Sequence, residues 1–362
     1  MNRIGIVAII FIAACNAAPA PVDEHAATVE ESKALVPAPP WPEGDERGMG
    51  NTQSLGTRLR CAFHLADPRS KEYELSHVRS ETMPVSPFGV PLDYTFRPTA
   101  GLPGTKHAFN GESVCGEPGA QGTQMDALGH FAYLSDVWDG SDSLPEDQIR
   151  YYGGFTQSDV KPTPDSPLMN LGVEQVRPIV TSAVLLDARR LLGEGNPLEA
   201  GRLITAADIE AMIDAQGLAW RGLLPGDVLY IYTGWENYWE EPDEQKIYYT
   251  KGPGLSYDAV QYIADKAVVL VALDNPFTDP VSEGQLAGEA PPPEGTPEGL
   301  PFVVHHYNLS QSGIHQIQNA HLEEMVADEV WTSCTIILPL RTRGGSGSPV
   351  RPVAYGVPQR QQ

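Results

Sequence analysis

Strand-like runs alternate with helical patterns through the second half of the chain, and this alternation points to an α/β fold. At Thr205 and Ser256 the sequence has the form of a helix N-cap followed by an acidic first turn. After the first cap, apolar residues recur at helical spacing at Ile209, Met212 and Ile213. Four apolar runs have the length and composition of buried strands: residues 180–187, 227–233, 267–274 and 331–340. We therefore expect a sheet with helices packed beside it.

The first fourteen residues have the anatomy of a signal peptide. An apolar run from Ile4 to Ala14 follows Arg3 and is too short to span a bilayer, which takes about 20 residues. Small residues then precede Cys15, a pattern similar to the bacterial lipobox, so we predict that cleavage leaves Cys15 as a lipidated N-terminus. The alternative is an ordinary cleavage after Ala18 or Ala20. The protein is expected to be exported and, with the lipid, anchored to the bacterial envelope in the periplasm or at the cell surface.

Residues 15–51 differ in composition from the rest of the chain. They are rich in Ala, Pro, Glu and Gly and have almost no apolar periodicity, which predicts a disordered tether. Residues 52–362 show no internal repeat and are predicted to form one domain, near the upper size limit for a single core. Within it, residues 280–301 contain six prolines and four glycines and are expected to form a long exposed loop.

The charge and the cysteines exclude some partners and leave others open. A formal net charge of -23 argues against binding to nucleic acid or anionic lipid headgroups, so membrane contact is expected only through the lipid. Cys334 lies in an apolar run and is interpreted as a buried small hydrophobe. That leaves Cys61 and Cys115 as the candidate disulfide pair, and the sequence leaves open whether they pair. It also leaves open a homo-oligomer.

The segment 122–131, Gly-Thr-Gln-Met-Asp-Ala-Leu-Gly-His-Phe, carries the strongest chemical signal. Asp126 can supply a metal-binding carboxylate, and His130, four residues later, can supply an imidazole base. Such pairs also occur by chance, so the residues alone do not establish a site.

This segment resembles the signature H-x-G-T-H-x-D-x-P-x-H of the cyclase family, which includes kynurenine formamidase and isatin hydrolase. Further segments resemble the family in the same order: residues 73–77, 83–84, 183–187, 224–235, 253–256, 339–341 and 347–354. The resemblance implies the family's swivelling β/β/α domain, an α/β fold built round a mixed β-sheet with flanking helices. It also implies a catalytic domain that acts on a small-molecule substrate.

The resemblance implies a site in which metal is held by two early histidines, an aspartate, and a later histidine and glutamate. Asp126 matches the aspartate, and His305 falls where the later histidine belongs. His130 matches the last signature histidine, which acts in proton transfer in the family. His306 adjoins His305, but on an extended chain only one of the two could easily reach the site.

Three positions depart from the family pattern. Ala120 and Gln124 stand where the two early histidines belong, and Gln318 replaces the late glutamate. An amide oxygen can coordinate a metal but adds no negative charge, and alanine cannot coordinate at all. The implied ligand set of Gln124, Asp126, His305 and Gln318 is weak for zinc and favours harder ions. We expect a divalent metal ion (manganese, magnesium or zinc) as the cofactor.

Two features have both a substrate-binding and a structural interpretation. Trp235, which follows a predicted strand, would line an apolar substrate pocket or would belong to the core. The segment 344–348 would present backbone N–H groups to a substrate oxyanion, or would only make a tight connection.

The sequence thus favours a hydrolase of an amide, ester or lactone bond in a small cyclic or aromatic carbonyl compound. Metal would assist the reaction, and His130 would shuttle the proton. One alternative is a lipid-anchored ligand-binding protein without activity, and another is a metal-independent lyase or cyclase. Serine-hydrolase, phosphate-loop and zincin motifs are missing from the sequence.

Overall fold

The computed structural model describes residues 36–359, which are built round a nine-stranded mixed sheet. The strands are β1 (Lys71–Glu74), β2 (Asp93–Phe96), β3 (Ala100–Gly101), β4 (Ala108–Phe109), β5 (Glu112–Cys115), β6 (Gln124–Asp126), β7 (Ile179–Asp187), β8 (Leu203–Ile204), β9 (Val228–Tyr232), β10 (Gly254–Leu255), β11 (Leu270–Leu273), β12 (His315–Gln318), β13 (Thr332–Ile337), β14 (Gly347–Pro349) and β15 (Val353–Gly356). The main sheet has the order β1-β15-β13-β7-β9-β11-β12-β6-β14, and the other strands form three small two-stranded sheets.

The helices flank the main sheet. They are α1 (Leu55–Ala66), α2 (Gln157–Val160), α3 (Ala188–Leu192), α4 (Ala206–Ala215), α5 (Tyr257–Asp265), α6 (Val303–His305) and α7 (Glu323–Ala327), and a π-helix over His306–Ser312 continues α6. None of the helices in residues 36–359 has both the length and the apolar character needed to cross a bilayer.

The centre of the sheet is parallel and buried on both faces. Strands β7, β9, β11 and β12 run parallel, whereas β6 and the outer strands are antiparallel to their neighbours. Successive side chains of a strand point to opposite faces, so Leu229 and Tyr230 enter different core clusters. The cluster that contains Leu229 is covered by α4 and α5. The cluster that contains Tyr230 also includes Tyr73 of β1 and Met125 of β6. These two strands lie near opposite ends of the strand order, so the sheet is curled.

The predicted fold is confirmed at the level of individual elements. The four predicted strands correspond to β7, β9, β11 and β13; β7 begins one residue earlier than predicted, and the other three strands are shorter. Thr205 caps α4 in a reciprocal capping box with Asp208, and the Ser256 side chain accepts a hydrogen bond from the Ala259 N–H at the start of α5. The loop 280–301 is less exposed than predicted: nine of its 22 residues are exposed, eleven are half-buried and two are buried, and a bridge between Gly252 and Val281 fixes its start.

Part of the predicted tether contacts the domain. Asp45 accepts hydrogen bonds from the Gly48 N–H at 2.8 Å and the Tyr152 hydroxyl at 3.2 Å. The Glu46 carboxylate accepts one from the Leu171 N–H at 2.6 Å. These anchored residues precede the predicted boundary at residue 52. The signal peptide, Cys15 and the tether up to residue 35 lie outside the described residues.

The candidate pairing of Cys61 with Cys115 is wrong, whereas the predicted burial of Cys334 is confirmed. Cys61 of α1 forms a disulfide with Cys334 of β13, and Cys115 is free and exposed on β5. Helix α1 packs across β7 and β13, and both paired cysteines are almost completely buried. The apolar run round Cys334 predicted that this residue is buried, but no residue pattern in the run predicted that α1 would pack over β13.

Candidate active site

The centre of the site is Asp126, the last residue of β6. Antiparallel pairing places Asp126 opposite Gln316 of β12, and the side chain is only 2% exposed. The Nε2 groups of Gln316 and Gln318 donate to Asp126 Oδ2 at 2.9 Å and 2.6 Å. Burial would raise the pKa of Asp126, but the neighbouring His130 and His305 hold it well below the usual range. Asp126 is therefore an ionised carboxylate.

His305, the last residue of α6, lies between two carboxylates. Its Nε2 atom is 3.4 Å from Asp126 Oδ2, and its Nδ1 atom is hydrogen bonded to Asp279 Oδ2. Gln318 Nε2 also lies 3.1 Å from His305 Nε2. Burial would lower the pKa of His305, but the charge of Asp279 and the contact with Asp126 raise it to about 10.

His130 completes the cluster from a short 3-10 helix, Leu128–His130. One nitrogen of His130, one nitrogen of His305 and one carboxylate oxygen of Asp126 all lie within 4.8 Å of one another. His130 lines a cavity and keeps exposed surface, yet the surrounding protein desolvates its charged form. This burial lowers the pKa of His130 against the opposing effect of Asp126, so the neutral imidazole predominates at neutral pH.

The residues present fit a divalent ion. Asp126 and the two histidines offer one carboxylate and two imidazoles at close range. The Oε1 atoms of Gln124 and Gln318 are buried and have no hydrogen-bond partner among the described residues. Unpaired buried carbonyl oxygens are ligands that hard divalent ions accept. Of the four predicted ligands, Asp126, His305 and Gln318 contact one another, and Gln124 lines the same cavity as His305 and Gln318.

The cluster opens into a cavity of about 760 Å³, a volume typical of small-molecule sites. The cavity wall contains four phenylalanines: Phe88, Phe131, Phe277 and Phe302. The rings of Phe88, Phe277 and Phe302 meet edge to face, with centroids 5.9 to 6.2 Å apart. A largely apolar wall that includes the polar cluster suits an aromatic or cyclic ligand.

Ala120 and Gln124, which stand at the positions of the two early histidines, both line the cavity. The segment 345–347 also lines the cavity, but the N–H groups of Gly344 and Gly345 already donate to Glu174 and Thr342. These two groups therefore serve the tight connection.

The structure corrects the placement of Trp235. Trp235 is 2% exposed and does not line the cavity, but it packs in a core cluster that also contains the cavity residues Phe277 and Phe302. Its indole N–H donates to the Tyr248 carbonyl at 3.1 Å, which satisfies the one polar group of the ring. These contacts support the alternative interpretation, in which Trp235 belongs to the core.

Two residues of the site, Gln316 and Asp279, were not predicted from the sequence. Gln316 stands two residues before Gln318 on β12, and period-two alternation could have placed both on the same face. Asp279 follows β11 by six residues, and no spacing rule connects it to His305. Its position after a buried parallel strand was the only signal, because such strand ends often carry polar site residues.

Comparison with known proteins establishes the family. A family model described as "Putative cyclase" matches residues 73–280, more than half of the chain. The chain therefore belongs to this cyclase family, and the predicted resemblance is confirmed.

Individual relatives agree with this assignment. The kynurenine formamidase of Bacillus mycoides (strain KBAB4) is 29% identical over 101 residues, which are 28% of this chain and 39% of that protein. The chain thus spans well under half the length of this curated relative. A crystal structure of a novel cyclase superposes with a TM-score of 0.69 at 24% identity, covering 87% of this chain and 97% of that one. The structure of an isatin hydrolase bound to the product analogue thioisatinate superposes with a TM-score of 0.54 at 18% identity, covering 85% of this chain and 100% of that one. These structures establish the mixed-sheet fold.

Proposed function

We propose that this protein is a hydrolase of an amide, ester or lactone bond in a small aromatic or cyclic carbonyl compound. The observation that carries the proposal is that the Asp126, His130 and His305 cluster opens into a cavity walled by phenylalanines. The names of two similar proteins, kynurenine formamidase and isatin hydrolase, agree with a hydrolase.

A divalent metal ion is part of the proposal. Asp126 and His305 would hold the ion, with the free amide oxygens of Gln124 and Gln318 as neutral ligands. When bound, such an ion polarises a carbonyl group and makes bound water more acidic. Asp279 holds the Nδ1 atom of His305, so the Nε2 atom faces Asp126 and the ligand site.

His130 is proposed to move the proton. Its neutral imidazole accepts a proton from the attacking water as the water oxygen bonds to the carbonyl carbon. The bond from that carbon to the leaving nitrogen or oxygen then breaks, and His130 returns the proton to the leaving atom. The products are a carboxylic acid and an amine or alcohol, joined in one molecule when the substrate is a ring.

The phenylalanines select the substrate. The Phe88, Phe277 and Phe302 rings line the cavity and contact one another edge to face, and such an aromatic wall favours a flat aromatic compound over an aliphatic chain. The polar cluster lies at one part of the wall, so a carbonyl group of the bound ring would be directed to it.

The test is a substrate panel with purified protein supplied with Mn²⁺, Mg²⁺ or Zn²⁺. The panel contains N-formylkynurenine, isatin, an aryl lactone, an aryl ester and matched aliphatic analogues, with products followed by chromatography. We expect turnover of at least one aromatic member, loss of turnover in His130→Ala, and no change in His107→Ala, which alters an exposed histidine that does not line the cavity.

Two results would overturn the proposal in different ways. Tight binding of aromatic compounds with no turnover under any metal condition would indicate a binding protein. Full turnover after exhaustive chelation would indicate a metal-independent lyase or cyclase. Export and lipid anchoring through Cys15 are a separate proposal, supported by the apolar N-terminal segment alone.

A further inference from the structure

A second cluster of metal-binding side chains lies outside the cavity that holds Asp126. His77 follows β1, Glu236 lies in a short 3-10 helix after β9, and His321 follows β12. One ligand atom from each of the three lies within 4.8 Å of the other two. None of the three lines the cavity described above.

Each side chain is held in place by its neighbours. The His77 ring stacks on Trp239 with centroids 4.1 Å apart, and the His77 backbone N–H donates to the Thr123 hydroxyl at 3.0 Å. Glu236 Oε2 accepts hydrogen bonds from the Leu322 N–H at 2.9 Å and from His321 Nδ1 at 3.2 Å. The His77 and His321 rings lie 4.9 Å apart. The cluster is therefore fixed before any ligand arrives.

Two buried atoms of this cluster have no partner. Glu236 is 6% exposed, and its Oε1 atom makes no hydrogen bond within residues 36–359. The Nε2 atom of His77 is also buried and makes none in that part of the chain. A buried carboxylate oxygen and a buried imidazole nitrogen that are both unpaired lose hydration without compensation. A cation bound by these residues would offset that loss.

We propose that His77, Glu236 and His321 form a second metal site, which takes a divalent transition ion such as Zn²⁺. Two imidazoles and one carboxylate are an established zinc ligand set, with a fourth position open to water. The His321 side chain is about one third exposed, so an ion can enter from solvent. The three residues come from three separate segments, so the ion would tie these segments together.

The inference is independent of the proposed hydrolase activity, and its test reads metal binding alone. The full chain carrying Asp126→Ala, which disables the first cluster, is stripped with chelator and dialysed against Zn²⁺. Elemental analysis is expected to find one equivalent of zinc in this protein. A result of no bound zinc would overturn the proposal.

Two substitutions in that background locate the ion. Glu236→Gln keeps an acceptor for the Leu322 N–H, and His321→Gln changes a side chain that is partly exposed. Both variants are therefore expected to fold. Both are expected to weaken zinc binding at least tenfold, whereas the matched control His107→Ala leaves it unchanged.

Cobalt provides a second measurement. Co²⁺ bound in the Asp126→Ala background should give ligand-field absorption that is lost in His321→Gln, with thermal melts showing that both proteins are folded. Zinc affinity and cobalt absorption unchanged in both glutamine variants would show that the ion binds elsewhere.

Discussion

His305 Nδ1 is hydrogen bonded to Asp279 Oδ2, and this contact determines which ring nitrogen faces Asp126. The other oxygen of Asp279 accepts from the backbone N–H of Val304, so the carboxylate is held at both ends. With Nδ1 occupied, the Nε2 atom of His305 is the one that lies 3.4 Å from Asp126. Asp279 is thus a positioning residue for whatever His305 binds.

Replacing Asp279 by asparagine should lower kcat/KM about 10-fold to 100-fold while KM changes little. The amide can still accept from Val304, but it removes the negative charge that raises the pKa of His305. The pH dependence of metal binding should therefore shift to lower pH. The control is Asp142→Asn, an exposed aspartate. Kinetics and metal affinity identical to the wild type in Asp279→Asn would contradict the positioning role.

Asp126 and His130 should have separable effects. Asp126→Ala should remove the ion from the first cluster, because amides and imidazoles alone do not supply its charge. His130→Ala should retain that ion and lower kcat by about 10²-fold to 10⁴-fold, as expected for a lost proton shuttle. Metal content and kcat are measured on the same preparations. If His130→Ala also loses the ion, His130 is a ligand and another group moves the proton.

The sequence predicted most of the backbone frame, because strand length, cap residues and family motifs are local signals. Thr205 and Ser256 stand at the starts of their helices, and Asp126 and His130, which are four residues apart, lie close together. His305 was placed by the family resemblance, since no local pattern connects it to Asp126 across 178 intervening residues.

What the sequence missed depends on long-range packing. Cys334 pairs with Cys61 only because α1 lies across β13, and nothing near either cysteine specifies that contact. Trp235 is in the core because Tyr248 supplies an acceptor for its indole N–H. Asp279 is recognisable as a site residue only once His305 is beside it.

His315 should make the fold sensitive to acid. Burial lowers the pKa of His315 to about 4, below the value of about 6.5 that it has in an unfolded chain. Its stabilising contribution is fully present above pH 6.5 and is lost as the pH falls toward 4, by up to about 3 kcal/mol. Denaturant unfolding between pH 7 and 4 should show a smaller loss for His315→Gln. If the free energy of unfolding falls equally with pH in the two proteins, His315 does not cause the loss.

Cys15→Ser should release the protein from the membrane fraction of a bacterial host. Stable attachment requires several acyl chains, because a single chain binds only marginally. Mass spectrometry of the wild-type N-terminus should find a modified Cys15. An unmodified alanine at the N-terminus of the wild-type protein would support the ordinary signal cleavage.

The disulfide between Cys61 and Cys334 should contribute strongly to stability, since it closes a loop between residues 273 positions apart. Replacing both cysteines by serine should lower the free energy of unfolding by about 2–5 kcal/mol. Cys115→Ser is the matched control and should have no measurable effect, because Cys115 is exposed and unpaired. Peptide mapping without reduction should recover the Cys61 and Cys334 peptides joined, in agreement with folding in an oxidising compartment. Recovery of Cys61 joined to Cys115 would contradict the packing of α1 on β13.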